Sequence, residues 1–216
     1  MRCQHAFCGQ DTGVPQRCNV PMDAQGVHAL SCAVGGGRLS RHSGILQMVV
    51  RWMRDAGYGS VVREVLVPEW KRVRKDGSRQ QAVLDIRAEL HSFLPARWLD
   101  ATVRVPGAEV YAPGASKKFG HAAAAGEDKK RRRYPAKCGM ACTPLSVETF
   151  GALGTAFSTC IAEWSAAASS ERQSFGLPPR VFTHRWLSEL SVCLAVHSAE
   201  AVLLACTVVR GDAVHM

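Results

Sequence analysis

Apolar residues recur along this chain at two spacings, and the spacings divide it into elements. Ile45, Val49, Trp52, Met53 and Ala56 return every three or four positions. They predict one buried face of a helix that Arg41-His42 opens and Gly57 and Gly59 end. Residues 60–67 alternate around Val62, Glu64 and Leu66 and are rich in valine, which predicts a strand closed by Pro68. Two more strands are predicted over 82–88 and 98–104, with 89–95 as a loop or hairpin between them. A Pro/Gly-containing connection covers 106–120. Alanines 122–125 followed by long charged side chains favour a helix that Pro135 stops. Residues 143–149 read as a further strand. Leu153, Phe157, Ile161 and Trp164 mark an amphipathic helix. Residues 166–179 read as a small-residue and proline linker. Trp186, Leu190, Leu194, Ala201 and Leu204 share one side of a final helix.

The mixture predicts an α/β (α+β) fold, a small mixed sheet flanked by helices. The expected divisions are a cysteine-rich segment over 1–35, a main domain over 38–170 and a C-terminal helical extension over 171–216. Gly35-Gly36-Gly37 reads as a flexible joint. It is no phosphate loop, since no Gly-Lys-Ser/Thr follows.

Charge narrows the partners. The 216 residues are 47% hydrophobic, ordinary for a globular chain, yet carry a formal net charge of +9. A sequence pI near 9.3 favours a polyanionic partner, nucleic acid or an acidic membrane surface. Met1-Arg2-Cys3-Gln4-His5 leads into polar sequence with no secretory signal, and residues 201–209, the most apolar run, are too short to span a bilayer. An intracellular location with no membrane partner is the expectation. There, clustered Cys and His are better read as metal ligands than as disulfides. Four of the nine cysteines fall in the first 32 residues. Cys3, Cys18, His28 and Cys32 would form a Cys3His zinc site, His28 and Cys32 facing one way on a helical turn; Cys8 or His5 could take the place of Cys3. Metal would then provide the stability so small a segment lacks. Cys138, Cys142, Cys160, Cys193 and Cys206 read as small core residues.

The candidate chemistry centres on Asp85 and Asp100, one in each of two neighbouring strands. Each carboxylate follows apolar residues, at a core edge where an unpaired charge is costly, and two brought together repel. A divalent cation between them resolves both problems and can activate water against a phosphodiester. On spacing alone, two surface aspartates ending ordinary strands is the commoner explanation. Glu64 either joins them or faces water, and the alternation does not choose. Lys71, Arg72, Arg74, Lys75 and Arg79 form a basic loop beside these strands, and Lys129-Lys130-Arg131-Arg132-Arg133 a basic run on the later helix. Both suit phosphate contacts.

Taken in order, several pieces resemble one family. They are Gly26-Val27-His28-Ala29-Leu30-Ser31-Cys32 with its upstream cysteines, Arg41-His42, Ala82-Val83-Leu84-Asp85, Leu99-Asp100-Ala101-Thr102-Val103, Lys130-Arg131-Arg132-Arg133-Tyr134, Thr143-Pro144-Leu145 and Glu148-Thr149-Phe150-Gly151. Together they resemble the restriction-like endonuclease domain, of PD-(D/E)xK fold, found with a zinc knuckle in site-specific non-LTR retrotransposon polyproteins. The resemblance implies Asp85 and Asp100 as Mg²⁺ ligands and Lys130 as the catalytic lysine moved onto the following helix, with Lys129 the alternative. Thr102 stands where the motif lysine would, Leu84 replaces the motif proline, and Tyr134 matches a tyrosine that recurs after the lysine. It implies Zn²⁺ on Cys3, Cys18, His28 and Cys32. It also implies DNA as partner, element RNA as another, a nuclear site of action, and a reverse transcriptase domain of the same element. No polymerase signature is present in this sequence. The competing expectation is an inactive, nucleic-acid-binding remnant.

Overall fold

The computed structural model describes residues 1–4, 6–8, 15–34, 36–73, 76–90, 96–171 and 175–206, with backbone alone at 6–8 and 15–17. Arg74, Lys75, His5 and the 91–95 stretch of the expected hairpin lie outside the described residues, as does the Cys8 side chain.

Four strands form the sheet that carries the candidate chemistry. They are β3 (Ser60–Leu66), β6 (Val83–Glu89), β7 (Arg97–Arg104) and β8 (Cys142–Glu148), in that spatial order. The first two junctions are antiparallel and β7–β8 is parallel. Two short ribbons complete the described strands: β1 (Ala6–Cys8) with β2 (Pro15–Arg17), and β4 (Arg72–Val73) with β5 (Arg79–Gln80). The helices are α1 (Val27–Ser31), α2 (Gly37–Asp55), α3 (Ala112–Ala115), α4 (His121–Arg133), α5 (Thr155–Ser170) and α6 (Pro179–Cys206). The architecture is a small mixed sheet flanked by helices with a C-terminal helical extension.

Alternation along β7 sorts its side chains between layers. Leu99 and Ala101 enter the main core with Leu145 and Val147 of β8, Ile86 of β6 and the apolar faces of α2, α5 and α6. The stripe predicted for α2 is buried there: Ile45, Val49, Met53 and Ala56 are wholly inaccessible, and Trp52 stacks on Trp186 of α6 at 5.5 Å. Trp52 Nε1 donates to Glu189 Oε2 at 2.9 Å, which satisfies its one polar group. A second cluster of Val67, Trp70, Ala82, Leu84, Tyr134 and Cys142 ties the starts of β6 and β8 to the end of α4.

Several expectations need correction. The helix expected from Arg41 begins at Gly37, because Gly37 packs against α6: a Cβ there would lie 3.0 Å from that of Ala201. That glycine serves close approach and not only a joint. The connection over 106–120 contains α3. The linker expected from residue 166 starts after Ser170, since the alanine run continues α5 and buries Ala168. Cys138 is exposed in the turn between Lys137 and Met140, with φ 52°, so it is no core residue. Helix α6 is 28 residues long and, by length and composition alone, apolar enough to cross a membrane, a longer apolar stretch than the 201–209 run suggested. Here it buries Phe182, Trp186, Leu190 and Leu194 in the main core.

Candidate functional site

Strand register places the acids. Ile86 pairs Leu99 and Arg87 pairs Trp98, so one further step sets Asp85 across from Asp100. In the β3–β6 register, Glu64 falls between Arg63, opposite Ile86, and Val65, opposite Leu84, hence across from Asp85. On the far side Asp100 pairs Pro144. Glu64, Asp85 and Asp100 therefore share one row across the sheet. Glu64 is exposed and has φ 55°, a left-handed conformation that interrupts its strand's pairing.

Backbone pairing of β6 with β7 runs from Ala88–Arg97 to Ile86–Leu99. Beyond it the Asp85 side chain takes over: its Oδ2 accepts the Ala101 backbone N–H at 2.6 Å. The same oxygen lies 3.1 Å from His42 Nε2, carried on α2. Asp100 is 3% exposed and its Oδ2 ion-pairs with Lys130 Nζ from α4. The two carboxyl groups lie close enough for each to perturb the other's ionisation. Burial opposes ionisation of Asp85, but the His42 contact, Asp100 and the Ala101 N–H together hold its pKa below the usual carboxylate value. Burial pushes Asp100 the other way, up to about 7, where the attraction of Lys130 is offset in part by its acidic neighbour. His42 is raised above the ordinary histidine value by its hydrogen bond to Asp85, against its burial.

Three local devices deliver Lys130. Glu148, buried at the end of β8, accepts the N–H groups of Ala122 and Ala123 at 2.8 and 3.2 Å and so caps α4. Glu127, buried within α4, accepts Ala156 N–H at 2.8 Å and caps α5. Gly126 lets α4 lie on the sheet: a Cβ would collide with Ser146 Oγ and lie 3.1 Å from Thr102 Cγ2. Lys130 follows one turn later on the same side. Lys129, the alternative, is exposed.

The other expected residues scatter. Thr102 lies on the sheet face that meets Gly126. Tyr134 is 8% exposed, packed at 5.6 Å from Trp70, with its hydroxyl pushed up to about 12 by burial and then by Asp100. The basic run divides. Arg131 binds Glu127 at 2.9 Å and Asp128 at 3.2 Å, and Arg133 lies 5.2 Å from the Tyr134 ring centre, while Arg132 is exposed. Lys71, Arg72 and Arg79 are exposed, with Arg72 Nε bound to Gln80 Oε1 at 2.7 Å.

The N-terminal cysteines and histidine do converge. The ligand atoms of Cys3, Cys18, His28 and Cys32 all lie within 4.8 Å of one another. Cys3 Sγ is 3.9 Å from Cys32 Sγ, and Cys18 Sγ is 3.2 Å from His28 Nε2. A Cys3His tetrahedron with zinc-length bonds has edges of about 3.6–3.8 Å, and the ligand atoms need only small shifts to hold a divalent metal of that kind. Burial, then the neighbouring Cys18 and Cys3 thiols, pushes the Cys32 thiol up to about 12. A cation among these groups would favour the thiolates instead. Asp23 orients the set by accepting Val27 N–H at 2.9 Å and His28 N–H at 2.7 Å. Arg41, 2% exposed, bolts α1 to α2 through Leu30 O at 2.6 Å.

A cleft of about 690 Å³ opens between α1, α2 and the β7–α3 connection, with His42 and Lys130 among its walls. His42 and Arg41 were marked in sequence by their place as a polar pair opening an apolar helix and by the resemblance, and neither pointed to the contact with Asp85. No protein-family model matches this chain, and no curated protein matches it. The chain is thus a small α/β domain with an N-terminal Cys/Cys/His/Cys cluster able to chelate a metal.

Proposed function

We propose that this chain is a Mg²⁺-dependent DNA endonuclease domain of the restriction-like, PD-(D/E)xK type, derived from a non-LTR retrotransposon. On this reading it nicks target DNA to prime reverse transcription, in the nucleus and alongside the element's reverse transcriptase and RNA. The observation that carries the reading is the meeting of Asp85, Asp100 and Lys130 where β6 and β7 separate. The donor set suits a hard cation: two neighbouring carboxyl groups, one of them buried and resisting ionisation without a cation. A divalent cation held by Asp85 and Asp100 would polarise the scissile phosphate and acidify an attacking water. Lys130 then exchanges its partner, Asp100, for the charge that builds on the phosphoryl oxygens. His42 and the Ala101 N–H keep the Asp85 carboxylate ionised and aimed. Lys71, Arg72, Arg79 and Arg132 grip flanking phosphates, a contact that weakens with salt. Zinc on the N-terminal cluster is structural.

A second reading, a non-catalytic nucleic-acid-binding remnant, draws on the same centre: each carboxylate already has protein partners, and Leu84 and Thr102 depart from the family pattern. Nicking of supercoiled plasmid with Mg²⁺, wild type against Asp100→Ala, separates the two. Nicking lost in the variant supports the nuclease. Gel shifts by both proteins with nicking by neither leave the binding module.

A further inference from the structure

The walls of the cleft beside His42 and Lys130 combine two kinds of surface. Arg38, Arg41, Arg104 and Lys130 contribute positive charge, and none of the described residues lining it is acidic. Between them stand Leu39 and Val110, apolar and 71% and 75% exposed, and Tyr111. The Arg104 guanidinium lies over one face of the Tyr111 ring, 5.9 Å from its centre, so a phosphate-binding group and an aromatic platform are already stacked together. Tyr111 is anchored by its backbone, its N–H donating to Ala108 O at 2.7 Å while Ala112 N–H takes the same oxygen at 2.9 Å. Side chains that grip only a duplex backbone need charge and polar donors. Exposed aliphatic surface and a half-buried aromatic ring between arginines are what unpaired bases require, because every base has a face to stack. Size agrees: a volume in the drug-sized range holds about two nucleotides and not the width of a duplex.

We propose that this cleft binds an unpaired DNA strand next to the acidic centre, its bases against Tyr111, Leu39 and Val110 and its phosphates on Arg38 and Arg104. The inference rests on the nucleic-acid reading above and adds the substrate class: DNA opened, frayed or flapped at the position to be cut.

Fluorescence anisotropy of the full chain, without added magnesium, tests it through binding alone. A labelled single-stranded oligodeoxynucleotide is compared with the blunt duplex of the same sequence. The expected result is tighter binding of the single strand at equal salt. Tyr111→Ala should weaken the single strand about tenfold, with Tyr111→Phe restoring it, and leave duplex affinity unchanged. Arg38→Ala should reduce the salt slope for the single strand by about 0.7. Unchanged thermal melting of Tyr111→Ala keeps its loss from being a folding defect; should it melt early, Leu39→Ala and Arg38→Ala carry the same comparison. Duplex bound as tightly as single strand, or equal losses on both, overturns this proposal and leaves the nuclease reading standing. RNA preferred over DNA of the same sequence overturns the assignment to DNA. Binding of neither form overturns both readings, whereas the expected binding without plasmid nicking supports the cleft and removes only the nuclease.

Discussion

Lys130 of α4 reaches the sheet to ion-pair with Asp100 of β7, 30 positions earlier in the chain. The neighbouring Lys129 is exposed. Lys130→Ala should therefore abolish plasmid nicking while duplex binding in gel shifts falls less than threefold. Lys129→Ala should leave nicking within a few-fold of wild type. Equal loss in the two variants would mean that the basic run acts only as diffuse charge.

Asp100 makes stability depend on pH. Its folded pKa, near 7, lies above the ordinary 3.8. A carboxyl raised on folding stabilises most below its unfolded value and loses that contribution as pH rises through the folded one. Magnesium-free wild type should lose melting temperature between about pH 4 and pH 8, and Asp100→Asn should flatten that slope and melt higher at pH 8. Millimolar Mg²⁺ should then raise the melting temperature of wild type at pH 8 and not that of the variant, because the cation binds only the folded carboxylates. Thermal scans at three pH values, with and without Mg²⁺, check both statements.

Gly126 sets the height of α4 over the sheet. In an open helix Gly→Ala gains about 1 kcal/mol, but here the added methyl meets Ser146 Oγ and Thr102 Cγ2. Gly126→Val should destabilise the chain by about 1–3 kcal/mol in urea and reduce nicking further than stability explains, since Lys130 rides on the displaced helix. Combining it with Ser146→Ala should recover part of the loss.

The Cys3, Cys18, His28 and Cys32 cluster shares a small apolar core with Ala29 and with Ala205 of α6, and Gln4 N–H donates to Ala205 O at 2.8 Å. Elemental analysis should find one zinc per chain. Cys32→Ser should lower that content and speed amide exchange over α1 and the last turns of α6, while the Trp52–Trp186 core remains protected. Faster exchange confined to the N-terminus would show that the two do not share the metal's stabilisation.

Much of the fold was legible because helices and strands record burial locally. The α2 stripe and the alternation of β3 follow from periodicity, and α4 with its proline stop from residue propensity, each within about a dozen residues. The errors fell where a distant contact overrode local preference. Gly37 looked like a joint until Ala201 packed on it, and the alanines after Trp164 looked like a linker although they only lengthen α5. Cysteine spacing named the metal-ligating set, since few other uses explain those residue types so close together, yet geometry was needed to show which four converge.

By itself, the sequence determined the elements, the positive charge and the residue types able to do chemistry, because these depend on composition and on neighbours a turn or two away. Only the tertiary structure decided that Asp85 faces Asp100 across separated strands, that His42 rather than Glu64 contacts Asp85, and that Arg131 is tied to Glu127. Those outcomes depend on strand register and on how α2 and α4 seat against the sheet. Register is a relation between segments that no single segment encodes.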